Sequence, residues 1–388
     1  MGTKIRVLYE PEIFFIQKYG GASRYFFELL SNFHKDNDIE FVLPLKFSDN
    51  HYLRSAPFIK SRNLIRPVTT KSKNKFIKAT LRPIKKISKR ILNSQLRQNK
   101  FKLHEVLEKQ DFNIFHPTYY TALVLKYLKD KPLVITVYDM IYELFPEQYA
   151  NDPYRAFKQE LIRRANKIIA ISNNTKQDLI KIYKVQEDKI EVVHLSCSFQ
   201  NRNIEARHDN LVPDEYILFV GERKRYKNFT TLIKSAAPIL KKHKDLKIIC
   251  AGSKPFTKDE KELFEKLHIS KRIYHFSASD DFLFELYKKA IVFVFPSLYE
   301  GFGIPILEAF SAGCPVACSN TSSFPEVAGD AATFFDPYNE ESMCNSIDSL
   351  ISNKALRDEM VEKGYGRLKA FSWKETAERT KTLYMSLI

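Results

Sequence analysis

Short apolar runs rich in Val, Ile and Phe alternate with helix-periodic stretches along the whole chain, and this alternation confines it to βα units that build parallel sheets. In the first half the runs are KIRVLY from Lys4, IEFVLP from Ile39, FNIFHP from Phe112, LVITVYD from Leu133, KIIAIS from Lys167 and IEVVHL from Ile190. The polar, aperiodic stretch FQNRNIEARHDNLVPDE, from Phe199 to Glu215, interrupts the pattern and reads as a linker. The pattern restarts with YILFVG from Tyr216, LKIICAG from Leu246, RIYHFS from Arg272, IVFVFP from Ile291, PVACSN from Pro315 and ATFFDP from Ala332. A length of 388 residues, with 44% hydrophobic and 28% charged residues, suits two globular domains. The expected fold is therefore α/β, with two Rossmann-like domains at 1–200 and 201–370. Open sheets of this kind bind ligands at the carboxyl ends of their strands, which puts the site in the cleft between the domains.

One segment at such a strand end carries most of the chemistry. YEGFGIPILEAFSAGCPV, from Tyr299 to Val316, sets Glu300 in a loop, Pro305 in the first turn of a helix and Glu308 one turn inside it. Gly313 and Pro315 stop that helix. The glycines let backbone approach a ligand, and the N–H groups of the helix start attract an anion. A phosphate held there, with a carboxylate on either side to accept from hydroxyls, describes a sugar nucleotide. The same glutamates also fit ordinary surface positions near a helix start, which the helix dipole favours. After YILFVG, the loop ERKRYKNF places Arg223 and Lys227 ahead of a helix that Asn228 is expected to cap, a second place for diphosphate charge. In QKYGGASRYFFELL, Gly20 and Gly21 precede a helix without the spacing of a dinucleotide fingerprint.

Charge is unevenly placed. Between Asp49 and Glu105 lie sixteen Lys or Arg, from Arg54 to Lys102, and no Asp or Glu, so this segment equals the whole net charge of +16. Within it Ile84, Ile87, Ile91 and Leu92 recur at helical spacing beside Lys85, Lys86, Lys89 and Arg90. That pattern fits an interfacial helix on an anionic membrane, and equally a basic face whose apolar side packs on its own domain. No apolar run reaches the ~20 residues of a membrane span, and the N-terminus lacks the pattern of a signal peptide, so the expected location is cytoplasmic, peripheral to the membrane. The five cysteines show no C-x-x-C spacing and read as buried thiols.

Together these segments resemble the retaining glycosyltransferases of family 4, which have the GT-B fold. The resemblance rests on YGGASRYF (from Tyr19), FHPTYY (from Phe115), ITVYDMIYELFPE (from Ile135), AISNNTKQDL (from Ala170), YILFVGERKRYKNF and the block from Asp280 to Pro337 with its Glu-x7-Glu pattern. It implies an acceptor-binding first domain and a nucleotide-sugar-binding second domain with the donor in the cleft. It also implies a closing helix at 371–388, beginning at FSW, that returns to the first domain. Glu300 is then expected at the donor sugar, Glu308 at the ribose, and Arg223 and Lys227 at the departing diphosphate, where preorganised cations favour the transition state. The backbone of Phe302, Gly303 and Ile304 lies near sugar and phosphate, Gly20 and Gly21 approach from the first domain, and the loops at Ser253, Phe276 and Ser297 choose sugar and base. No cofactor or metal is expected; Asp36-Asn37-Asp38 reads as a polar turn. Retention is expected through front-face transfer with the leaving phosphate as base, rather than a double displacement on Glu300.

Members of the family often carry His-Asp where this chain has Tyr138-Asp139. A tyrosine is a poor proton shuttle near neutral pH; His116 and Tyr142 are the nearby groups able to compensate, and His116, following a strand, equally fits a packed, hydrogen-bonded histidine. The expected reaction is transfer of a hexosyl group from GDP-mannose or a UDP-sugar to a glycan or lipid-linked acceptor in cell-surface polysaccharide synthesis, with no nucleic acid partner. Two alternatives share the fold: a UDP-N-acetylglucosamine 2-epimerase, which needs no acceptor, and a non-catalytic membrane or nucleic-acid binder.

Overall fold

The computed structural model describes residues 4–59, 82–121, 124–199, 212–252 and 254–388, with the helical backbone alone over 82–93. Every apolar run forms a strand. In the first half these are β1 (Ile5–Glu10), β2 (Ile39–Val42), β3 (Ile114–Pro117), β4 (Val134–Val137), β5 (Lys167–Ala170) and β6 (Ile190–Val192). In the second they are β7 (Tyr216–Val220), β8 (Lys247–Ala251), β9 (Ile273–Phe276), β10 (Val292–Phe295), β11 (Val316–Ser319) and β12 (Thr333–Phe335). The pairings are parallel throughout. Strands such as β10, buried at all four positions, read as continuous apolar runs because helices cover both faces of a parallel sheet.

The second sheet has the order β12-β11-β10-β7-β8-β9, so the winding direction reverses between β7 and β10. The first is built as β2-β1-β3 and β4-β5-β6, joined by a parallel bridge from Phe115 to Leu133, and reverses between β1 and β3. At such a reversal the two following loops part in opposite directions and leave a crevice.

The helix Trp373–Met385 crosses back onto the first sheet. Tyr384 places its hydroxyl 2.7 Å from that of Tyr9 and 2.5 Å from Nδ1 of His116, and Lys381 bridges Asp36 and Asp38 at 2.9 and 2.5 Å. Asp36 also accepts from the N–H groups of Asp38 and Ile39, so this triplet is a polar turn tied to the last helix. The cysteines are free thiols, four of them buried and Cys344 half-buried.

Arg82–Lys109 is one helix of 28 residues. Gln95, Asn99, Leu103 and Leu107, four apart, are buried against the first domain, and Asn99 accepts from the N–H groups of Lys46 and Phe47. Phe101 on the same helix is 74% exposed. The side chains of Ile84, Lys85, Lys86, Ile87, Lys89, Arg90, Ile91 and Leu92 lie outside the described residues, as do linker residues 200–211. Among the described residues no helix is long and apolar enough to cross a membrane.

Candidate active site

The loops that follow β7 and β10 meet at the reversal of the second sheet. Lys227 ends the short turn Arg225–Lys227 after β7, while Glu300 lies five residues beyond β10. Their side chains, 16% and 14% exposed, form an ion pair with Lys227 Nζ donating to Glu300 Oε1 at 2.5 Å. Two serines brace the loop behind Glu300. Ser323 Oγ donates to the carbonyls of Glu300 and Phe302 at 2.9 and 2.6 Å, and Ser322 Oγ accepts from the Glu300 N–H at 3.1 Å. The N–H of Leu298 donates to the Tyr226 carbonyl at 2.7 Å and ties the two loops together.

Gly303 then turns the chain into the helix Ile304–Ser311 at φ +123°, a conformation that side chains rarely adopt, with Pro305 in the first turn. Glu308 lies within this helix, 7% exposed, and accepts from the Tyr287 hydroxyl at 3.3 Å. The Glu-x7-Glu spacing thus sets one carboxylate before the helix start and one inside the helix.

The first domain closes over this crevice. Gly301 packs so tightly that a Cβ there would overlap the Tyr138 carbonyl oxygen and stand 2.7 Å from its carbon and 3.1 Å from Asp139 Cα. A Cβ on Gly21 would lie 3.5 Å from Cδ1 of Ile304, so the two glycine loops face each other across the cleft. Thr175 Oγ1 donates to the Gly301 carbonyl at 3.3 Å, and the Tyr299 hydroxyl donates to Asp178 at 2.7 Å. Farther along, Glu326 of the second domain accepts from the N–H groups of Asn173 and Asn174 at 2.8 and 3.2 Å and meets His194 Nε2 at 2.7 Å. A carboxylate on the first N–H groups of a helix is favoured by the helix dipole.

Comparison with known proteins places this geometry. A profile described as "Glycosyltransferase Family 4" matches residues 19–196, and one described as "Glycosyl transferases group 1" matches residues 200–367. Escherichia coli O-antigen chain mannosyltransferase B is 28% identical over 269 residues, covering 66% of this chain and 70% of its own. The chain belongs to glycosyltransferase family 4. Two solved structures share the fold over 99% of this chain. Sucrose-phosphate synthase from Thermosynechococcus elongatus has a TM-score of 0.72 at 18% identity and is covered over 99%. Anabaena Alr3699/HepE, solved with UDP and glucose, has a TM-score of 0.71 at 16% identity and is covered over 100%. The glycosyltransferase fold is GT-B.

Several residues of this glycosyltransferase stand differently from the sequence expectation. Arg223 does not join Lys227. Its guanidinium donates to Glu260 at 2.6 Å and to the carbonyls of Lys254 and Pro255 at 2.9 and 2.8 Å, and lies over the rings of Phe256 and Phe229. So bonded, Arg223 braces the loop after β8. Asn228 occupies the helix boundary in the left-handed region at φ 56° and caps no N–H, because its side chain is bonded to Thr231 Oγ1 and the Pro337 carbonyl.

Tyr138 does not stand in for a proton-shuttling histidine. Its hydroxyl donates to the Thr118 carbonyl at 2.7 Å, and burial pushes its pKa well above the ordinary value. Neighbouring Asp139 is also raised by burial, against the opposing pull of Lys158, and lies within electrostatic reach of Glu300. His116 is a core histidine, bonded to Tyr384 and Thr136, with its pKa lowered to about 3 by burial. Phe302 is 3% exposed and packs on His194 and Phe371, with its carbonyl accepting from Ser323 Oγ. Phe276 ends β9, two strands from β7, with its ring edge-on to Phe282. Ser297 is buried, its Oγ without a partner, and Ser253 lies outside the described residues.

Sequence reasoning gave no role to Arg24. It projects from the first-domain helix Gly21–Phe33, is 6% exposed, and donates across the cleft to Asp280 at 2.7 Å and to the Tyr52 hydroxyl at 3.0 Å. Glu308 lies within its electrostatic reach. The available signal was a lone cation in the first turn after a glycine pair, directly before an apolar run.

Proposed function

We propose that the protein is a retaining hexosyltransferase that moves a mannosyl or related hexosyl group from GDP-mannose or a UDP-sugar to a glycan or lipid-linked acceptor in cell-surface polysaccharide synthesis. The observation that carries this reading is the Lys227–Glu300 pair beside the helix start at Gly303, at the strand reversal of the second sheet. An anionic donor draws Lys227 to its diphosphate and frees Glu300 to accept from sugar hydroxyls, while the helix start takes phosphate oxygens. Glu308 accepts from the ribose. As the sugar–phosphate bond breaks, Lys227 stabilises the charge that grows on the leaving oxygens, and the leaving phosphate takes the acceptor proton on the face it departs from. The mannosyl assignment draws on the named activity of the E. coli relative. No metal or cofactor has a part in this scheme. The enzyme works on the cytoplasmic face of the membrane, docked peripherally through the basic segment 54–102, and takes no nucleic acid.

Thermal stabilisation by GDP-mannose and by UDP-, ADP- and dTDP-sugars tests the donor site, since a ligand bound only by the folded state raises its stability. A shift with one nucleotide, lost in Glu308→Ala, supports it. No shift with any of them refutes it. The anomeric configuration of the product, read by NMR, tests retention.

A further inference from the structure

Arg24 brings a cation to the cleft that its own contacts do not use up. It lies one turn inside the first-domain helix Gly21–Phe33, and Glu308 lies one turn inside the second-domain helix Ile304–Ser311. The two helix starts face each other, since a Cβ on Gly21 would stand 3.5 Å from Cδ1 of Ile304. The next turn of each helix therefore sets a cation and a carboxylate on opposite walls of one crevice. Nη2 of Arg24 makes both of its hydrogen bonds, to Asp280 at 2.7 Å and to the Tyr52 hydroxyl at 3.0 Å. The guanidinium lies over the rings of Tyr52 and Phe199, 4.6 and 5.8 Å from their centroids. Its Nε and Nη1 donate to no acceptor among the described residues. A guanidinium carries its N–H donors in a fixed fork, and at 6% exposure native structures rarely leave them unmet, so this arginine points to a ligand.

Glu308 is placed to share that ligand. It is 7% exposed and accepts from the Tyr287 hydroxyl at 3.3 Å. Tyr287 and Asp280 stand two turns apart on the helix Asp280–Lys289, so one element of the second domain holds both Arg24 and Glu308. Phe199 fills the space beside them, with its ring 6.4 Å from that of Tyr287. Burial opposes the charge on Arg24, but Tyr52, Glu308 and Asp280 together raise its pKa. The ion pair of Arg24 is with Asp280, while Glu308 lies within its electrostatic reach and beyond direct contact. The gap between the two charges suits a group that accepts from one and donates to the other.

We infer that Arg24 is the first domain's contact to the ribose of the bound nucleotide, donating to the hydroxyls whose protons Glu308 accepts. A hydroxyl carries one O–H donor and two lone pairs, so a vicinal pair gives to the carboxylate and accepts from Nε and Nη1 at once. Bonds of this kind, to charged groups on both sides, are the strong ones. A phosphate in the same place would be repelled by Glu308, and a 2′,3′-dideoxyribose would form no bridge. The ribose is then read by one residue from each domain. The long stem of the arginine lets it follow a nucleotide seated on the second domain.

The inference rests on the donor reading above, in which Glu308 accepts from the ribose, and the test separates the two. The full chain is titrated by calorimetry with GDP, UDP and ADP, each beside its 2′,3′-dideoxy analogue. The wild type is expected to bind one ribonucleotide about tenfold or more tighter than its analogue, the worth of one or two bonds to charged groups. Arg24→Met keeps a long stem and removes the fork, so it should cut that preference to about threefold or less, with affinity for the analogue held within about twofold. Arg24→Lys keeps the cation without the fork and should fall between the two. Loss of fold, or of domain closure alone, weakens ribonucleotide and analogue together, so their ratio isolates the ribose contact. An undiminished ribose preference in Arg24→Met or Arg24→Lys, or an equal loss of affinity for both forms, overturns the inference. A preference lost in Glu308→Ala but kept in Arg24→Met leaves the donor reading standing and removes Arg24 from it. A wild type that binds both forms equally, or binds neither, strikes the ribose role of Glu308 and the inference with it.

Discussion

Gly301→Ala is the substitution whose effect follows most directly from geometry. The added Cβ would overlap the carbonyl oxygen of Tyr138 and stand 2.7 Å from its carbon, both backbone atoms of the other domain that no rotamer change can move. Relieving the overlap takes on the order of 1–2 Å, and close-packed interiors do not absorb that locally. The cheapest relief is a rigid opening of the cleft, because the clash lies between the domains and not within either core. Opening by that much draws the Glu300 loop away from Asp139 and the first-domain wall. A misplacement of ~1 Å costs about 10²-fold in rate, so kcat should fall by roughly that factor. The interdomain bonds at Thr175 and Tyr299 weaken with it, for about 1–2 kcal/mol in all. Steady-state kinetics, donor affinity and small-angle scattering check this together: low kcat, near-normal donor affinity and a more open particle. Gly366→Ala, whose Cβ meets open space, is the control and should leave all three unchanged. A Gly301→Ala enzyme with more than half the wild-type kcat and the same scattering profile refutes the claim that this contact sets closure.

Lys227→Ala should lower kcat by about 10²–10³-fold if the proposed role of this cation at the departing diphosphate holds, with nucleotide-sugar turnover as the readout. Arg223→Ala should instead act on stability, by about 1–3 kcal/mol from the lost charge-assisted bond to Glu260, which keeps its bond from the Thr257 N–H, while nucleotide affinity holds; urea melts with and without nucleotide separate the two effects. Glu326 has its carboxyl held below the ordinary value by His194 and the N–H groups of Asn173 and Asn174, which outweigh the opposing effect of burial. A depressed acid stabilises above its unfolded pKa and loses that contribution as pH falls through the folded pKa, so Glu326→Gln should flatten the acid loss of interdomain closure below pH ~4.5, followed by scattering. His116, with a folded pKa of about 3, binds no proton in the folded state as pH falls below ~6.5 while the unfolded chain does. Stability should therefore drop by up to about 1.4 kcal/mol per pH unit from this group between pH ~6.5 and 3, and His116→Gln should remove that slope in thermal melts recorded across the range.

What was legible in the sequence divides by the range of the forces involved. Each parallel strand was readable because burial on both faces demands an unbroken apolar run, as in VFVF of β10, and Pro305 and Gly303 mark a helix start through local backbone chemistry alone. Side-chain direction was not readable where distant partners compete for it. Arg223 and Lys227 share one loop and looked like a pair, yet Glu260, 37 residues on, takes the first, and Glu300, 73 residues on, takes the second. Tyr138 looked like a replacement in the chemistry because neither its bond to the Thr118 carbonyl nor its tyrosine neighbours can be seen from its own segment. Arg24 escaped notice because its role depends on Asp280, 256 residues away in the other domain.

The Lys227–Glu300 pair also decides how the two charges must work. At 2.5 Å and with little exposure, each neutralises the other in the free enzyme, which avoids the cost of an unpaired buried charge. A neutral sugar gives Lys227 no reason to leave Glu300. In the proposed donor site a diphosphate does, because it offers more negative charge than a carboxylate, and the same move would release Glu300 to the hydroxyls of the attached sugar. Recognition of the sugar is then conditional on recognition of the phosphate. Removing the carboxylate uncouples them: Glu300→Gln leaves Lys227 without its ion-pair partner, so the bare nucleoside diphosphate should bind more tightly than to wild type while discrimination between donor sugars weakens. Calorimetry with the nucleoside diphosphate and with its sugar ester measures both. Weaker binding of the bare diphosphate by Glu300→Gln would mean that Lys227 does not face the phosphate, and that the pair serves only to hold the two loops together.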